Sequence, residues 1–404
     1  MPAPLDGIRV LDFTWVISGP QCTQILADFG AEVIKAEWPH HLDGLRYRVQ
    51  APGADPASPE CSGLWNNLNR NKRSITLNMR HPDGAALALK LIEHCDVVVE
   101  NFSPGVLDSW GLSWAAMRER NQRLIYLGMS GFGRAGPSKD YVVFAPVMHA
   151  LSGLHAMTGE PNREPAGLGF SYGDHVAGYF GALAVLAALE ERDVTGRGEM
   201  IDLGQVEASL ALTSTALLDH QVSGRHFMAA GNVPPGSQDA PAGLYQCAGA
   251  DAWCAISVRD DAQWESLAQL LGGEDLLRDR RFASRPARAA HRELLDRRVS
   301  EWTAPRTREE VESVLGAAGI PCTAMATAAD ALADPRLRAH GYFQAAGHAL
   351  LGDREFQMGP VKSDSGPELR SAAPLVGEAN DYVFGELLGM SDQEISALRE
   401  GVVI

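Results

Sequence analysis

Several features that would mark a secreted, membrane or dinucleotide-binding protein are missing from this sequence of 404 residues. The six cysteines are scattered and form no CxxC pair, which argues against a zinc site and against a disulfide framework. No basic-then-apolar leader opens the chain, and no apolar run is long enough to cross a bilayer. We therefore expect reduced thiols, no bound metal and a cytoplasmic location.

Positive charge is also scarce. The chain holds 35 lysines and arginines against 51 acidic residues, a formal net charge of −16. So acidic a protein is expected to bind neither nucleic acid nor an anionic membrane, and an anionic small molecule must meet a local group of basic residues. Hydrophobic residues make up 45% of the chain, enough for a sizeable core, and the length fits two domains or one large domain with an insertion.

Strands and helices alternate at the start of the chain. The sequence predicts a strand over 8–13, a helix over 21–29 that opens at Pro20, and a strand over 31–37. Such a β-α-β unit implies a parallel sheet. A GxGxxG fingerprint is absent, but the amides of residues 17–19 meet at the helix start, where an anion can bind.

Further buried strands are predicted over 96–102 and 124–129, and the second is followed by a glycine-rich loop over 130–137. Loops that follow parallel strands are where open α/β sheets bind ligands. A basic stretch with Arg70 and Lys72 leads into another strand. In so acidic a chain it is a candidate phosphate contact, although a solvated turn has the same composition.

The composition changes over 223–243, which is rich in Gly, Pro, Ser and Asp and predicts a domain boundary. A hairpin over 244–258 and charged helical segments up to 319 follow, as in an α+β domain. We therefore expect three segments. They are the first part of a large domain over 1–222, a small domain over 223–330, and a return segment of the large domain over 331–404.

The strongest functional signal is the stretch SYGDHVAG at 171–178, which opens a long helix rich in Ala and Leu. The helix is apolar on nearly all sides, so we expect it to be buried. Asp174 stands where the N-cap should be, a position at which free backbone amides and the helix dipole favour the ionised carboxylate. We interpret Asp174 as an ionised nucleophile at the floor of a cleft; an ordinary N-cap is the alternative.

Short motifs follow one another along nearly the whole chain. They are GIRVLD (7–12), GP (19–20), LADFGAEVIK (26–35), NKRS (71–74), ENFSPG (100–105), SGFG (130–133), GP (136–137), Asp174 with Gly178, and TGRG (195–198). Each motif is weak alone, but their order and spacing are specific together. In this series the chain resembles the class III CoA-transferases, the family that includes formyl-CoA, carnitine and bile-acid CoA-transferases.

The resemblance implies an α/β fold, with a large Rossmann-like domain formed from both chain ends and a smaller α+β domain. It also implies a homodimer whose two chains interlock like rings. The implied reaction transfers coenzyme A from an acyl-CoA thioester to a carboxylic acid, through an anhydride and a thioester on one aspartate, which is Asp174 here. Coenzyme A is then a substrate, and no permanently bound cofactor or metal is implied.

The resemblance also implies which residues hold coenzyme A. The matching positions are Val16, Ile17, Ser18, Lys72, Asn101 and Phe102. Arg70 of the same basic stretch as Lys72 is a further candidate. Many family members carry an arginine at the position of Trp38, and Arg46 or Arg48 is the candidate to replace it.

Two other functions remain open at this point. An α-methylacyl-CoA racemase shares the fold, and there an Asp/His pair removes and returns the α-proton. The histidine of those enzymes lies in a Gly-His-Asp-x-Asn-Tyr motif, whereas this chain has SKDY at 138–141. A non-catalytic CoA-binding subunit is the third interpretation, and the aspartate at position 174 argues against it.

Overall fold

The computed structural model of the protein describes residues 2–51, 54–55, 57–233 and 237–404. It forms two compact units. Unit 1 comprises Met1–Leu154, Leu168–Val222 and Arg338–Ile404, and unit 2 comprises His155–Gly167 and Ser223–Leu337. The segments expected from the sequence end at 222 and 330, whereas the chain passes from one unit to the other after 222 and after 337. Unit 2 also includes a short segment before the long helix. Of the boundary predicted over 223–243, residues 234–236 lie outside the described residues.

Unit 1 is built around a parallel sheet of six strands in the order β3-β2-β1-β4-β5-β6. The strands are β1 (Arg9–Asp12), β2 (Glu32–Glu37), β3 (Lys72–Thr76), β4 (Val97–Glu100), β5 (Ile125–Gly128) and β6 (Met200–Asp202). Most residues of β1, β2, β4 and β5 are buried, as expected when helices cover both faces of a parallel sheet. The order reverses between β1 and β4, so the carboxyl ends of these two strands form the point where such sheets bind ligands.

Helices connect the strands of unit 1. Up to β6 they are α1 (Ser18–Asp28), α2 (Gly63–Asn69), α3 (Pro82–Ile92), α4 (Val106–Ser109), α5 (Trp114–Arg120), α6 (Ala145–Leu151), α7 (Leu154–Met157, which crosses into unit 2) and α8 (Tyr172–Thr195). After β6 follow α9 (Gln205–Ala211) and α10 (Ser214–Ser223).

The predicted start of α1 is wrong by two residues, because the helix begins at Ser18 and Pro20 is its third residue. Amides in the first turn of a helix have no acceptor within the helix, so proline is tolerated throughout that turn. The far end of α8 is more regular. Gly196 ends it in the left-handed conformation with φ +72°, which glycine adopts without strain.

Unit 2 contains an antiparallel sheet of β7 (Ala242–Gln246), β8 (Trp253–Ser257) and β9 (Cys322–Ala324), of which β7 and β8 form the expected hairpin. Helices α11 to α17 belong to the same part of the chain, and the last of them ends in unit 1: Asp261–Leu271, Glu274–Arg278, Arg285–Ala290, Arg292–Thr303, Arg308–Ala317, Ala328–Ala333 and Pro335–Ala339. The return segment of unit 1 adds the antiparallel pair β10 (Phe343–His348) and β11 (Gly352–Gln357), a π-helical turn at Asp381–Leu387, and α18 (Asp392–Glu400).

The expectation that α8 is buried all round is wrong for the single chain. One side packs in the core through residues such as Ala177, Ala182 and Val185. The other side leaves Tyr179 and Leu183 more than half exposed. No helix within the described ranges is both long and apolar enough to cross a membrane.

Candidate active site

Asp174 is the third residue of α8 and is buried, with 7% of its surface exposed. The predicted N-cap role is therefore wrong. The cap position belongs to Ser171, whose side chain makes no capping hydrogen bond. A carboxylate at the third position still lies in the first turn, near the positive end of the helix dipole. Asp174 thus still lies near the positive end of the helix dipole, but the hydrogen-bond donors around it differ from those expected at an N-cap.

Burial raises the pKa of Asp174 to about 6, and a hydrogen bond from its own backbone amide only partly opposes that rise. The sequence pattern had suggested a carboxylate whose ionised form is favoured, so the direction of the pKa shift differs from the expectation. The reason is that loss of water outweighs one backbone donor. The carboxylate is still mostly ionised at pH 7, and it is poorly solvated.

Side chains from three other helices hold the first turn of α8. From α6, the His149 Nε2 atom accepts a hydrogen bond of 2.9 Å from the Gly173 amide. From α9, the Ser209 hydroxyl lies so close that a Cβ atom on Gly173 would be 2.6 Å from it. From α1, the Gln21 amide oxygen pairs with Nδ1 of His175 at 2.9 Å. The position of Asp174 is therefore fixed from several sides.

Helices α1 and α8 meet at a glycine one turn beyond Asp174. A Cβ atom on Gly178 would lie 2.8 Å from the Gln21 side chain and 2.9 Å from the Ser18 carbonyl oxygen. Only glycine allows so close an approach. The contact places the start of α1, which follows β1, beside the start of α8, which carries Asp174.

The turn between β1 and α1 presents unused amides. Val16 adopts φ +65°, rare for a β-branched residue, and its amide donates to the Asp43 carboxylate at 2.8 Å. Ile17 caps α1, and the first helical hydrogen bond runs from Gln21 back to it. Among the residues that the structure describes, the amides of Ser18 and Gly19 meet no protein acceptor. Such a helix start favours an anion.

The turn after β4 packs against the turn after β1. The Asn101 amide side chain accepts a hydrogen bond from the Trp15 amide at 2.8 Å and donates to the Trp15 carbonyl at 2.7 Å. It also donates to the Ser18 hydroxyl at 3.2 Å. The Phe102 ring lies edge-on to Trp15, with ring centroids 5.5 Å apart. The structure thus brings Val16, Ile17, Ser18, Asn101 and Phe102 together at the reversal of the strand order.

A cleft of about 800 Å³ opens beside these turns. Its lining includes Trp15, His41, Met79, Arg80, Phe102 and Trp110. Phe102 stands between two tryptophans, since its ring is also 5.5 Å from that of Trp110. Arg80 and His41 are exposed and supply positive or titratable charge at this apolar wall. The combination suits a ligand with an aromatic base and phosphate groups.

Lys72 lies elsewhere, in a buried polar network beneath α1. Its ammonium group donates to the Asp12 carboxylate, the Thr23 hydroxyl, the Asn69 amide oxygen and the Pro20 carbonyl at 2.8 to 3.1 Å. Burial lowers the pKa of Lys72 to about 8, with the Asp12 charge opposing that change. Four protein acceptors surround the three protons of the ammonium group. In this arrangement Lys72 therefore makes structural contacts in place of the expected phosphate contact.

Arg46 and Arg70 are also buried and paired. Arg46 forms a bidentate pair with Glu37 at 2.7 and 2.8 Å and stacks on the Trp65 ring at 3.8 Å. Arg70 binds Asp28 in the same way at 2.7 and 3.2 Å. We therefore assign both arginines structural roles in place of the nucleotide contacts expected from the sequence, because their guanidinium groups are held by carboxylates inside unit 1.

From the sequence, Trp15 is a candidate for an acyl pocket, whereas Arg80 and His149 are not singled out as candidate site residues. Trp15 and Arg80 come three and four residues after the ends of β1 and β3, so their place near the carboxyl edge of the sheet is a signal that the sequence does hold. For His149 the sequence holds no such signal, because the contact depends on how α6 packs against α8.

Comparison with known proteins finds matches along nearly the whole chain. A family model described as CoA-transferase family III matches residues 5–380. A succinyl-CoA–D-citramalate CoA-transferase from Chloroflexus aurantiacus is 35% identical over 413 residues, which cover 100% of this chain and 98% of that protein. A formyl-CoA:oxalate CoA-transferase from Rhodopseudomonas palustris is 34% identical over 421 residues, covering 99% and 97%.

The fold is also found among solved structures. A CAIB/BAIF family protein from Brucella suis matches with a TM-score of 0.88 and 30% sequence identity. The match covers 96% of this chain and 100% of that chain. The mixed α/β architecture, with its six-stranded parallel sheet and smaller antiparallel sheets, is thus an architecture already known.

Proposed function

The chain belongs to CoA-transferase family III and is an enzyme of that family, and on this premise we propose that it transfers coenzyme A between two carboxylic acids through covalent intermediates on Asp174. The observation that carries the proposal is the state of that side chain. It is a buried carboxylate, ionised at neutral pH and poorly solvated, in the first turn of a helix that meets the β1–α1 turn. Poor solvation makes a carboxylate a better nucleophile.

The proposed reaction has four steps, each of which conserves atoms. The Asp174 carboxylate attacks the donor thioester, which gives an aspartyl-acyl anhydride and the CoA thiolate. The thiolate attacks the aspartyl carbonyl, forming an aspartyl-CoA thioester and releasing the donor acid. The acceptor carboxylate attacks this thioester and regenerates an anhydride and the thiolate. Attack of the thiolate on the acceptor acyl carbon releases the new acyl-CoA and the free carboxylate.

We place coenzyme A along the carboxyl edge of the sheet. The amides of Ser18 and Gly19 face an anionic group, Val16 and Ile17 shape the turn, and Asn101 fixes that turn in place. The adenine lies in the cleft walled by Trp15, Phe102 and Trp110, and Arg80 meets a phosphate. This arrangement supplies local positive charge in a strongly acidic protein, and it leaves Lys72, Arg46 and Arg70 in their structural roles.

We further propose that the enzyme is a homodimer. An apolar stripe on the outer side of α8 is exposed in the single chain; it consists of Tyr179, Phe180, Leu183 and Leu186. Exposed apolar patches of this kind mark interaction surfaces. A second copy of the chain is the occupant that the family resemblance implies.

The experiment that tests the proposed function combines substrate screening with trapping of the intermediate. Acyl-CoA donors, beginning with succinyl-CoA, are paired with carboxylic acid acceptors, and products are identified by mass spectrometry. Transfer is expected for at least one pair, and the quenched enzyme is expected to carry coenzyme A, less one water, on the peptide that contains Asp174.

The variant Asp174→Asn is expected to lose at least about 10³-fold in kcat, because the nucleophile is gone. Asp193→Asn is the matched control, since that aspartate lies on the exposed end of the same helix. Deuterium exchange at the α-carbon without transfer would indicate a racemase instead. Full activity in Asp174→Asn would overturn the proposal.

A further inference from the structure

The helix that carries the nucleophile is capped by a side chain from another helix. His149 of α6 is buried, and its Nε2 atom accepts the Gly173 amide at 2.9 Å. Because this nitrogen accepts a hydrogen bond, it carries no proton, and the ring is neutral in this arrangement. Ser171, at the position where a capping side chain ordinarily binds these amides, makes no such bond.

The contact is tight as well as polar. A Cβ atom on Gly173 would lie 3.2 Å from the same His149 nitrogen and 2.6 Å from the Ser209 hydroxyl. The backbone just before Asp174 is therefore pressed between α6 and α9, where only glycine fits. So close a fit limits how the first turn of α8 can move.

Amides of the first helical turn are the natural donors to a carboxylate at the third position. Asp174 receives a hydrogen bond from its own amide, whereas the amide of Gly173, its neighbour, is taken by His149. We propose that His149 is a positioning residue that binds the Gly173 amide and so withholds this donor from the Asp174 carboxylate. The inference rests on the proposed function, because it assigns His149 a task in preparing the nucleophile.

The chemical consequence follows from what a hydrogen bond does to a carboxylate. Each donor to the charged form stabilises it, lowers its pKa and makes it a weaker nucleophile. By holding the Gly173 amide, His149 leaves the Asp174 carboxylate with fewer donors. Removal of the imidazole acceptor leaves this amide available to the Asp174 carboxylate.

The test compares acceptor and non-acceptor side chains at position 149. His149→Leu and His149→Met remove the acceptor, whereas His149→Gln keeps an acceptor oxygen. Ser209→Ala is the matched control, since it alters the other wall around Gly173 without touching the amide's acceptor. For each folded variant, kcat and KM are measured with a donor and acceptor pair from the screen. The pKa of Asp174 is measured by NMR of carboxyl-labelled aspartate, with Asp174→Asn to assign the signal.

We expect kcat to fall about 10-fold to 100-fold in the Leu and Met variants, with KM for the acyl-CoA unchanged, since the loss is one of alignment and nucleophilicity. The pKa of Asp174 is expected to move below its wild-type value in both. The Gln variant is expected to recover most of kcat and the higher pKa. Ser209→Ala is expected to resemble the wild type in pKa.

An unchanged pKa of Asp174 in the Leu or Met variant would overturn the proposal, as would a Gln variant no better than Leu. The second apolar variant keeps the test open if one of them fails to fold. The NMR titration does not depend on turnover. Activity of Asp174→Asn therefore reports on the proposed function, and the titration reports on His149.

Discussion

At the scale of single residues, burial decides what each charged side chain does. Asp174 is buried without a cationic partner among the contacts that shift its pKa, so loss of water raises that pKa to about 6. Asp12 is buried between Lys35 and Lys72. Burial alone would raise the pKa of Asp12, but the two lysine charges outweigh it and lower the pKa to about 2. The state of Asp174 thus fits the proposed reaction, whereas Asp12 is held in a structural network.

The raised pKa of Asp174 predicts the pH dependence of the reaction. Above pH 6 the carboxylate is ionised and nucleophilic, and below pH 6 it is protonated. We therefore expect kcat/KM to be level at neutral pH and to fall about tenfold per pH unit below about 6. Steady-state rates measured from about pH 4.5 to about pH 8 at constant ionic strength test this dependence. A fall in kcat/KM that begins only near the ordinary aspartate pKa would contradict this prediction.

Lys72 is buried and Arg80 is exposed, so substitutions at these two cations distinguish a structural role from a ligand-binding role. Lys72→Met leaves Asp12 short of a buried partner, and we expect the free energy of unfolding to fall by about 3 to 5 kcal/mol.

Arg80→Ala removes an exposed cation from the cleft, so KM for the acyl-CoA is expected to rise while the unfolding free energy stays unchanged. Denaturant unfolding and steady-state kinetics measure both. Reversed results would return Lys72 to the coenzyme site.

Residue identity alone could place Asp174, Ser18 and Asn101 in a site, because each follows a strand or opens a helix. It could not separate Lys72, Arg46 and Arg70 from Arg80. All four are basic residues between or at the strands of the sheet, and only the fold shows that Asp12, Glu37 and Asp28 hold the first three. His149 was out of reach for the same reason, since its partner is a backbone amide 24 residues away.

At the scale of elements, the contact between α1 and α8 joins the two halves of the site. Gly178 meets Gln21 and the Ser18 carbonyl without space for a side chain. The sequence predicts both helices and parallel strands between them in the chain. It misplaces their first residues, because proline and aspartate are accepted at several positions of a first turn. The proposed reaction depends on those first residues.

Substitution of Gly178 by alanine tests this contact. The added methyl group must push α1 and α8 apart, so we expect a loss of about 1 to 3 kcal/mol in unfolding free energy and a lower kcat. Gly316→Ala is the control. It lies in α15 with open space around it, where alanine is expected to stabilise the helix by up to about 1 kcal/mol. Equal stability of Gly178→Ala and the wild type would show that the contact is not tight.

At the scale of the whole molecule, the apolar stripe on α8 is the feature that a single chain leaves unexplained. The sequence predicts a buried helix because nearly every face is apolar. In the single chain only one side is covered, so the prediction was wrong for the monomer and stays open for an assembly. The alternation of strands and helices did predict the parallel sheet of unit 1, since period and turn signals are local.

The substitution Leu183→Glu tests the proposed homodimer, because it places a charge on the stripe. We expect the wild type to have the mass of two chains in light scattering after size exclusion, and the variant to have the mass of one. Leu350→Glu is the control, since that leucine is equally exposed but lies in the return segment of unit 1. A monomeric wild type would refute the dimer.

If the Asp174 carboxylate becomes part of the intermediates, oxygen must pass between the acceptor acid and this side chain. In the proposed reaction the acceptor carboxylate leaves one of its oxygens on the aspartate in every turnover. After a single turnover with an acceptor acid labelled with ¹⁸O in its carboxylate, mass spectrometry of the peptide that contains Asp174 is expected to show one ¹⁸O in that side chain. Product formation with an unlabelled Asp174 would mean that the two acids exchange coenzyme A without the aspartate, and the account would be wrong.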